Sequence, residues 1–255
     1  MRILITNDDG IHAPGLAVAE KIARALSDDV WVFAPETEQS GASHSLTLAV
    51  PLRLREVAPR RYAVAGTPTD CVMLAALHVL KDKPPALVLS GVNSGSNLAD
   101  DVTYSGTIAG AMEGCALGIP AIALSQGGPE DARGALDWSA AEVHGADVVR
   151  HVLKAGWPPG TLININFPAC PAGAVKGIAV APQGAYDISS TSIEERADVR
   201  RRPYYWIGLR ERDGEVDRDT DLGAVQAGKI AVTPLHLNLT QWEVLEKMRG
   251  ALSKG

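Results

Sequence analysis

The chain opens with a strand, a helix and a second strand. Residues 3–5 form a short apolar run that ends in a polar turn, helical periodicity follows at 16–26, and residues 30–33 are apolar again. A strand–helix–strand unit places its two strands side by side and parallel, through a right-handed crossover. The N-terminal part is therefore predicted to belong to an α/β domain.

The same alternation continues along the chain. Further short apolar runs predict strands at 86–89, 121–124, 162–167 and 230–235. Longer stretches with helical character predict helices at 70–81, 105–117, 139–154 and 241–248. The pattern indicates an α/β fold with a doubly wound, mostly parallel sheet. Aromatic residues are only 5% of the chain, and a core of small branched side chains suits such a sheet.

Two regions do not fit this alternation. Residues 46–57 combine β-type residues with a proline, which predicts strands at an edge or in a hairpin. Residues 185–219 carry many charges around an aromatic patch at 204–206, which predicts a β-rich arm or hairpin outside the main sheet. We therefore predict a catalytic core at 1–184. The arm and a final strand and helix, at 185–255, are predicted to return to the core or to a partner subunit.

Charge and cysteine usage limit the partners and the compartment. A net charge of -6 argues against a nucleic-acid duplex or an anionic membrane as the main partner. Cys71, Cys115 and Cys170 have neither disulfide-framework nor zinc-ligand spacing and are interpreted as reduced thiols. Polar residues at 7–9 come too early for a signal peptide, and no run approaches the ~18 apolar residues of a membrane helix. A soluble, cytoplasmic protein is predicted.

The first strand ends in the turn Asn7-Asp8-Asp9-Gly10. Ligands of open α/β sheets bind outside the carboxyl ends of the strands, where this turn is expected to lie. Adjacent carboxylates repel each other and favour a hard divalent cation such as Mg²⁺, Mn²⁺ or Ca²⁺ beside them. The alternative is a simple turn, because Asp-Gly is a common turn dipeptide.

A second polar loop, at 39–44, follows the second strand. It contains Ser40 and His44 next to a glycine. Hydroxyls and glycines in loops more often serve capping and turns than ligand binding. A lone loop histidine is usually solvated, so we assign His44 no role.

A third loop runs from residue 90 to residue 104 and leads into a helix. Asn93 and Asn97 lie in it together with two glycines, which allow a ligand to approach the backbone. The helix begins at Ser105-Gly106-Thr107, where an N-cap serine, free N–H groups and the helix dipole would form an anion site. The alternative is a plain N-cap without a ligand.

These signals converge on one edge of one sheet. A cation beside a phosphate-binding helix start suits phosphomonoester hydrolysis, because the metal neutralises oxyanion charge and lowers the pKa of bound water. The sequence contains no Walker-type Gly-Lys-Ser/Thr motif, and no Gly-x-Gly-x-x-Gly follows the first strand. It therefore predicts a metal-dependent phosphatase. A non-catalytic metal- and nucleotide-binding regulator on the same fold is the rival, and an aspartyl-phosphate phosphatase is weaker because Asp-x-Asp spacing is absent.

Several motifs resemble the SurE family, the stationary-phase survival proteins that act as 5′/3′-nucleotidases. In family order and over nearly the whole chain they are NDDG at 7–10, HAPG at 12–15, SGAS at 40–43, GTPTDC at 66–71, GVNSGSN at 91–97, DDV at 100–102, YSGT at 104–107 and TPL at 233–235. Two positions depart from the family pattern. Ala99 stands where a glycine is frequent, and Asn238 where an aspartate is common, which puts a charge pair there in doubt.

The resemblance implies a Rossmann-like fold and a set of site residues. One divalent cation per subunit (Mg²⁺, Mn²⁺ or Ca²⁺) would be held by Asp8, Asp9, Ser40 and Asn93. Phosphate contacts would come from Asn97, Ser105, Gly106 and Thr107. The expected catalytic residues are Asp8, which takes or orients the proton of the nucleophile, and Asn97, which holds phosphate oxygens as charge develops.

The resemblance also implies substrates and partners. The family hydrolyses nucleoside 5′- and 3′-monophosphates, and some members also act on polyphosphate, so a nucleotidase of acid-phosphatase type is expected. Family members are homodimers or homotetramers that exchange C-terminal segments. The predicted arm at 185–219 agrees with such an assembly.

Overall fold

The computed structural model describes residues 1–128, 136–185, 191–209 and 216–253. Its strands are β1 (Ile3–Thr6), β2 (Val30–Pro35), β3 (Leu54–Ala58), β4 (Arg61–Val64), β5 (Leu87–Ser94), β6 (Ala121–Gln126), β7 (Thr161–Phe167), β8 (Ile178–Val180), β9 (Thr191–Ala197), β10 (Pro203–Leu209) and β11 (Ile230–His236). Its α-helices are α1 (Pro14–Arg24), α2 (Pro68–Leu74), α3 (Gly106–Ala116), α4 (Ser139–Ala155), α5 (Asp221–Gln226) and α6 (Trp242–Leu252).

Nine of these strands form one sheet, in the order β3-β4-β2-β1-β5-β6-β7-β11-β8. The strands pair in parallel from β4 to β7 and between β11 and β8. Only the β3–β4 and β7–β11 pairs of this sheet are antiparallel. The predicted mostly parallel α/β sheet is confirmed.

Helices cover both faces of the sheet because successive side chains of a strand point to opposite sides. Ile3 and Ile5 of β1 pack in the same buried cluster as residues of α1 and α4. Leu4, between them, joins the cluster formed with α2 and α3. Burial on both faces explains why the central strands read as unbroken apolar runs.

The strand order reverses direction next to β1. The chain passes from β1 to β2 on one side, whereas β5 is inserted on the other side of β1. Connections that diverge in this way leave a crevice outside the carboxyl ends of the two strands, where ligands of open α/β sheets bind. Asp8 and Asp9 follow β1, and Asn93 and Ser94 end β5.

Some predicted boundaries are wrong near this crevice. The loop predicted at 90–104 is much shorter, because β5 continues to Ser94 and residues Ala99–Thr103 form a 3₁₀-helix. The pairing of β5 with β6 shifts register between Ser90 and Asn93, which lets a strand carry glycine and polar residues that are typical of a loop. The helix predicted at 70–81 begins two residues earlier and changes to a π-helix at Ala75–Val79.

The edges of the fold also differ in detail from the prediction. Within the region 46–57 only residues 54–57 belong to a strand, β3, and the sequence does not predict its hairpin partner β4. In the predicted arm, β9 and β10 form a separate two-stranded antiparallel sheet. Residues 186–190 and 210–215 of that arm lie outside the described residues. No helix in the described part of the chain has the length and apolar character needed to cross a membrane.

Candidate metal and phosphate site

Asp8 connects the end of β1 to the start of α3. Its side chain is buried, with 4% of the residue exposed, and its Oδ1 accepts a hydrogen bond from the hydroxyl of Thr107. A Cβ atom added to Gly106 would lie 2.7 Å from Cβ and 2.9 Å from Oδ2 of Asp8. The helix therefore approaches Asp8 so closely that only glycine fits at its first position.

Asp9 connects the same turn to the end of β5. Its Oδ2 accepts a hydrogen bond of 3.0 Å from the backbone N–H of Ser94. Unlike Asp8, Asp9 is only partly buried. The two carboxylates therefore face the crevice from adjacent positions, one fixed by α3 and the other by β5.

Burial raises the pKa values of both carboxyl groups. For Asp8 the hydrogen bonds from Thr107 oppose the effect of burial only in part, and the nearby Glu38 carboxylate raises the pKa further. For Asp9, burial and the charges of Asp8 and Glu38 raise the pKa from 3.8 to about 6. Neither aspartate forms a salt bridge with a described residue, so negative charge accumulates here without a protein counter-ion. A bound cation would relieve this repulsion.

The other two predicted metal ligands, Ser40 and Asn93, each adjoin a residue that is hydrogen-bonded to one of the aspartates. The backbone N–H of Gln39 donates to the carbonyl oxygen of Asp8 at 2.8 Å, which brings Ser40 to the same edge. The Ser40 hydroxyl is exposed and donates to Glu38 at 2.7 Å. The amide nitrogen of Asn93 donates to the carbonyl of Gly95 at 2.9 Å. This bond orients the Oδ1 of Asn93 away from the Gly95 carbonyl.

These four residues offer only oxygen ligands to a cation. Carboxylate, hydroxyl and amide oxygens are the groups that hard divalent cations prefer, and the residues therefore fit such an ion. Within residues 1–128, 136–185, 191–209 and 216–253, no three His, Cys, Asp or Glu side chains form a cluster suited to a metal. The predicted set, with two carboxylates and two neutral oxygens, is of another kind.

The start of α3 is arranged as an N-terminal cap. The Ser105 side-chain oxygen accepts a 3.1 Å hydrogen bond from the backbone N–H of Ile108. The plain N-cap alternative thus describes the hydroxyl of Ser105 correctly. Gly106 and Thr107 follow at the first turn and both contact Asp8. The helix start and the carboxylate pair therefore belong to one site.

Asn97 is held by a buried network of polar residues. Its backbone N–H donates to Oδ1 of Asn166 at 2.8 Å, and its carbonyl accepts from the side chains of Asn164 and Asn166 at 2.8 and 3.0 Å. Its side-chain nitrogen donates to the Ser125 hydroxyl at 2.8 Å. Asn97 itself is only 7% exposed. The network fixes both the backbone and the amide plane of the residue predicted to hold phosphate.

Sequence reasoning missed the partners of Asn97. Ser125 is the last residue but one of β6, while Asn164 and Asn166 alternate with isoleucines in β7. Asparagine is depleted in strands, so two asparagines at alternate positions of a buried strand are the sequence signal that could have indicated these partners. They share one face of β7, as the period of two requires.

Comparison with known proteins shows which family the chain resembles. Residues 3–190 match the family described as Survival protein SurE. A 5′-nucleotidase SurE from Methylobacterium sp. (strain 4-46) is 56% identical over 252 residues, which cover 99% of this chain and 100% of that protein. A 5′-nucleotidase SurE from Rhodopseudomonas palustris (strain BisB5) is 58% identical over 243 residues, with coverages of 94% and 95%.

The fold gives the same result. A crystal structure of the SurE protein from Aquifex aeolicus matches with a TM-score of 0.85 at 39% sequence identity. The match covers 98% of this chain and 99% of that one. With the motifs, the sheet and the relatives in agreement, the chain belongs to the SurE family.

Proposed function

We propose that the chain hydrolyses nucleoside 5′-monophosphates to nucleoside and phosphate, with the help of a divalent cation. The observation that carries this proposal is the adjacent pair Asp8 and Asp9, which has no counter-ion in the described chain. Asp8 lies against the start of α3, and Asp9 is bonded to the end of β5. Relatives over half identical bear the name 5′-nucleotidase SurE, which supports the substrate class. We extend the proposal to 3′-monophosphates and polyphosphate, and to a phosphatase of acid type.

The proposed reaction requires cation binding, handling of the nucleophile's proton and phosphate binding. Asp8, Asp9, Ser40 and Asn93 would hold one divalent cation (Mg²⁺, Mn²⁺ or Ca²⁺), which would supply charge neutralisation at the phosphate and acidify a water molecule. Asp8 takes or orients the proton of the nucleophile. Asn97 donates from its fixed amide to a phosphate oxygen, and the helix start at Ser105, Gly106 and Thr107 attracts the anion through the dipole of α3.

A direct assay tests this proposal. The purified protein should release inorganic phosphate from nucleoside monophosphates when a divalent cation is added, and should lose this activity in excess chelator. A panel of 5′- and 3′-monophosphates and polyphosphate, each with several cations, defines the range. Binding of nucleotide without phosphate release under every condition would instead support the rival function, a non-catalytic metal- and nucleotide-binding regulator.

We also propose that the β9–β10 hairpin joins copies of the chain into a homodimer or homotetramer. Tyr205, Trp206 and Ile207 are 58%, 58% and 77% exposed. Alternate residues of a strand face opposite sides, so apolar groups lie on both faces of the hairpin. An isolated two-stranded hairpin is marginally stable, and aromatic clusters of this kind anchor interfaces.

The cytoplasm remains our expectation for the compartment.

Light scattering checks the assembly. At micromolar concentration the protein should have at least twice the 26.8 kDa mass of one chain. Trp206→Asp should shift the distribution towards the monomer, because it places a charge in the apolar contact. Lys81→Asp, an exposed change far from the hairpin in sequence, serves as the control. A monomeric parent protein would contradict the proposal.

A further inference from the structure

Asp221 is a buried carboxylate to which the proposed reaction gives no task. It is the first residue of α5 and is 0% exposed. Its Oδ1 accepts hydrogen bonds of 2.8 Å from the backbone N–H groups of Gly184 and Leu222. Its Oδ2 accepts a bond of 3.0 Å from the N–H of Ala99, 122 residues earlier in the chain. The side chain thus joins the C-terminal part of the chain to the loop after β5.

The contact at Ala99 holds an unfavourable backbone conformation. Ala99 has a φ of 48°, in the left-handed region that side chains other than glycine rarely adopt. Its carbonyl oxygen accepts a 2.9 Å hydrogen bond from Nε2 of Gln183. Both backbone polar groups of Ala99 are therefore held by residues from beyond β7. Such a conformation persists only where the surroundings impose it.

Ala99 lies between two parts of the proposed phosphate site. Asn97 precedes it by two residues, and the 3₁₀-helix Ala99–Thr103 starts at Ala99 itself. At the end of this turn, the carbonyl of Asp101 accepts a 3.1 Å hydrogen bond from the backbone N–H of Ser105, the N-cap of α3. The backbone direction at Ala99 therefore determines how the chain passes from Asn97 to the helix start.

We infer that Asp221 is a positioning residue of the phosphate site, which fixes the segment 97–105 by holding Ala99 in the left-handed conformation. The inference rests on the proposed function, because it assigns a task within that site. Asp221 acts on Asn97 and on the start of α3 through the backbone, and its carboxylate bonds within the described chain to Ala99, Gly184 and Leu222 rather than to Asp8 or Asp9. Loss of the carboxylate should therefore impair phosphate handling and leave cation binding intact.

Asp221→Asn tests the carboxylate with little change of shape. The amide replaces one acceptor oxygen by an NH₂ group, which opposes the backbone N–H that it faces. We expect kcat/KM for a nucleoside monophosphate to fall on the order of tenfold or more, as small displacements of positioning groups do. Cation affinity should remain within about twofold of the parental value. Asp219→Asn, an exposed carboxylate two residues earlier, is the matched control and should match the parent.

A second substitution separates positioning from simple anchoring of α5. Glycine adopts positive φ without strain, so Ala99→Gly removes the need for an external restraint. The double variant Asp221→Asn/Ala99→Gly should recover most of the kcat/KM that Asp221→Asn loses. If Asp221 only anchors α5, the double variant should stay as impaired as the single one. That result would overturn the inference.

Amide hydrogen exchange gives a readout that does not depend on activity. Peptides covering 97–105 should exchange faster in Asp221→Asn than in the parent or Asp219→Asn, while β1 exchanges as before. Should Asp221→Asn fail to fold, Gln183→Ala removes only the bond to the Ala99 carbonyl and should act in the same direction. Unchanged exchange at 97–105 refutes the inference. If the parent protein has no phosphatase activity and Asp221→Asn still exchanges faster at 97–105, the positioning role is supported and the proposed function is rejected.

Discussion

Gly106→Ala should lower the rate of nucleotide hydrolysis by about a hundredfold while the protein stays folded. The added methyl group would lie 2.7 Å from Cβ and 2.9 Å from Oδ2 of Asp8, which is too close for any Cβ. Either α3 or Asp8 must move, and both belong to the proposed site. The cost in stability should be about 1–3 kcal/mol, as for other overpacked positions, which a domain of this size tolerates.

The measurement should combine kinetics with cation binding. Displacement of Asp8 predicts a weaker cation affinity in Gly106→Ala, whereas a purely steric block of phosphate predicts an unchanged one. Gly250→Ala is the control, because a Cβ at Gly250 in α6 meets no described atom within 4 Å apart from its chain neighbours and the backbone of its own helix. If Gly106→Ala turns over nucleotides at the parental rate, the start of α3 is not part of the active site.

Much of this site could be predicted because its elements are local in sequence. Asp8 and Asp9 directly follow a buried strand, and the carboxyl ends of parallel strands meet at one edge of the sheet. The β1–α1–β2 unit fixed that edge from the N-terminal residues alone. The sequence predicts a helix start at Ser105 because a capping serine precedes a long apolar segment. Short-range chemistry and strand order were therefore sufficient to bring these residues to one edge of the sheet, whereas their roles remain proposals.

The remaining contacts could not be predicted from local sequence patterns because they join residues that are distant in the chain. Asn97 meets Asn166 across 69 residues, and Ala99 meets Asp221 across 122. Neither pair shares a period or a motif, since each depends on how separate elements pack. The sequence predicts a loop at 90–94 because local propensity favours turns there, yet pairing with β6 keeps these residues in a strand. Tertiary pairing overrides propensity in strands more readily than in helices.

Asp9→Asn should abolish most of the phosphatase activity and at the same time stabilise the metal-free protein. As a ligand, Asp9 supplies a negative charge that holds a divalent cation, and its loss should weaken cation affinity by about a hundredfold. The amide oxygen of asparagine can still accept the hydrogen bond from the N–H of Ser94, which is 3.0 Å from Asp9 Oδ2. The turn and its link to β5 should therefore survive the substitution.

The gain in stability follows from the sign of the pKa shift at Asp9. Burial and the charges of Asp8 and Glu38 raise this pKa from 3.8 to about 6, so the ionised side chain disfavours folding above pH 6. Because the group is partly exposed, solvent screening reduces the effect to about 1–2 kcal/mol. In excess chelator at pH 8, Asp9→Asn should melt a few degrees higher than the parent. At pH 4 the two should be nearly equal.

Two results separate a metal ligand from a turn residue at Asp9. Asparagine is as favourable as aspartate in turns, so a turn residue predicts parental activity in Asp9→Asn. A ligand predicts lost activity that high cation concentration partly restores, because mass action compensates for weaker binding. Asp82→Asn, which removes an exposed carboxylate before β5 at the opposite edge of the sheet, should change neither property. Parental activity of Asp9→Asn at limiting cation, after complete chelation, would exclude Asp9 from the metal site and remove the main support for the proposed reaction.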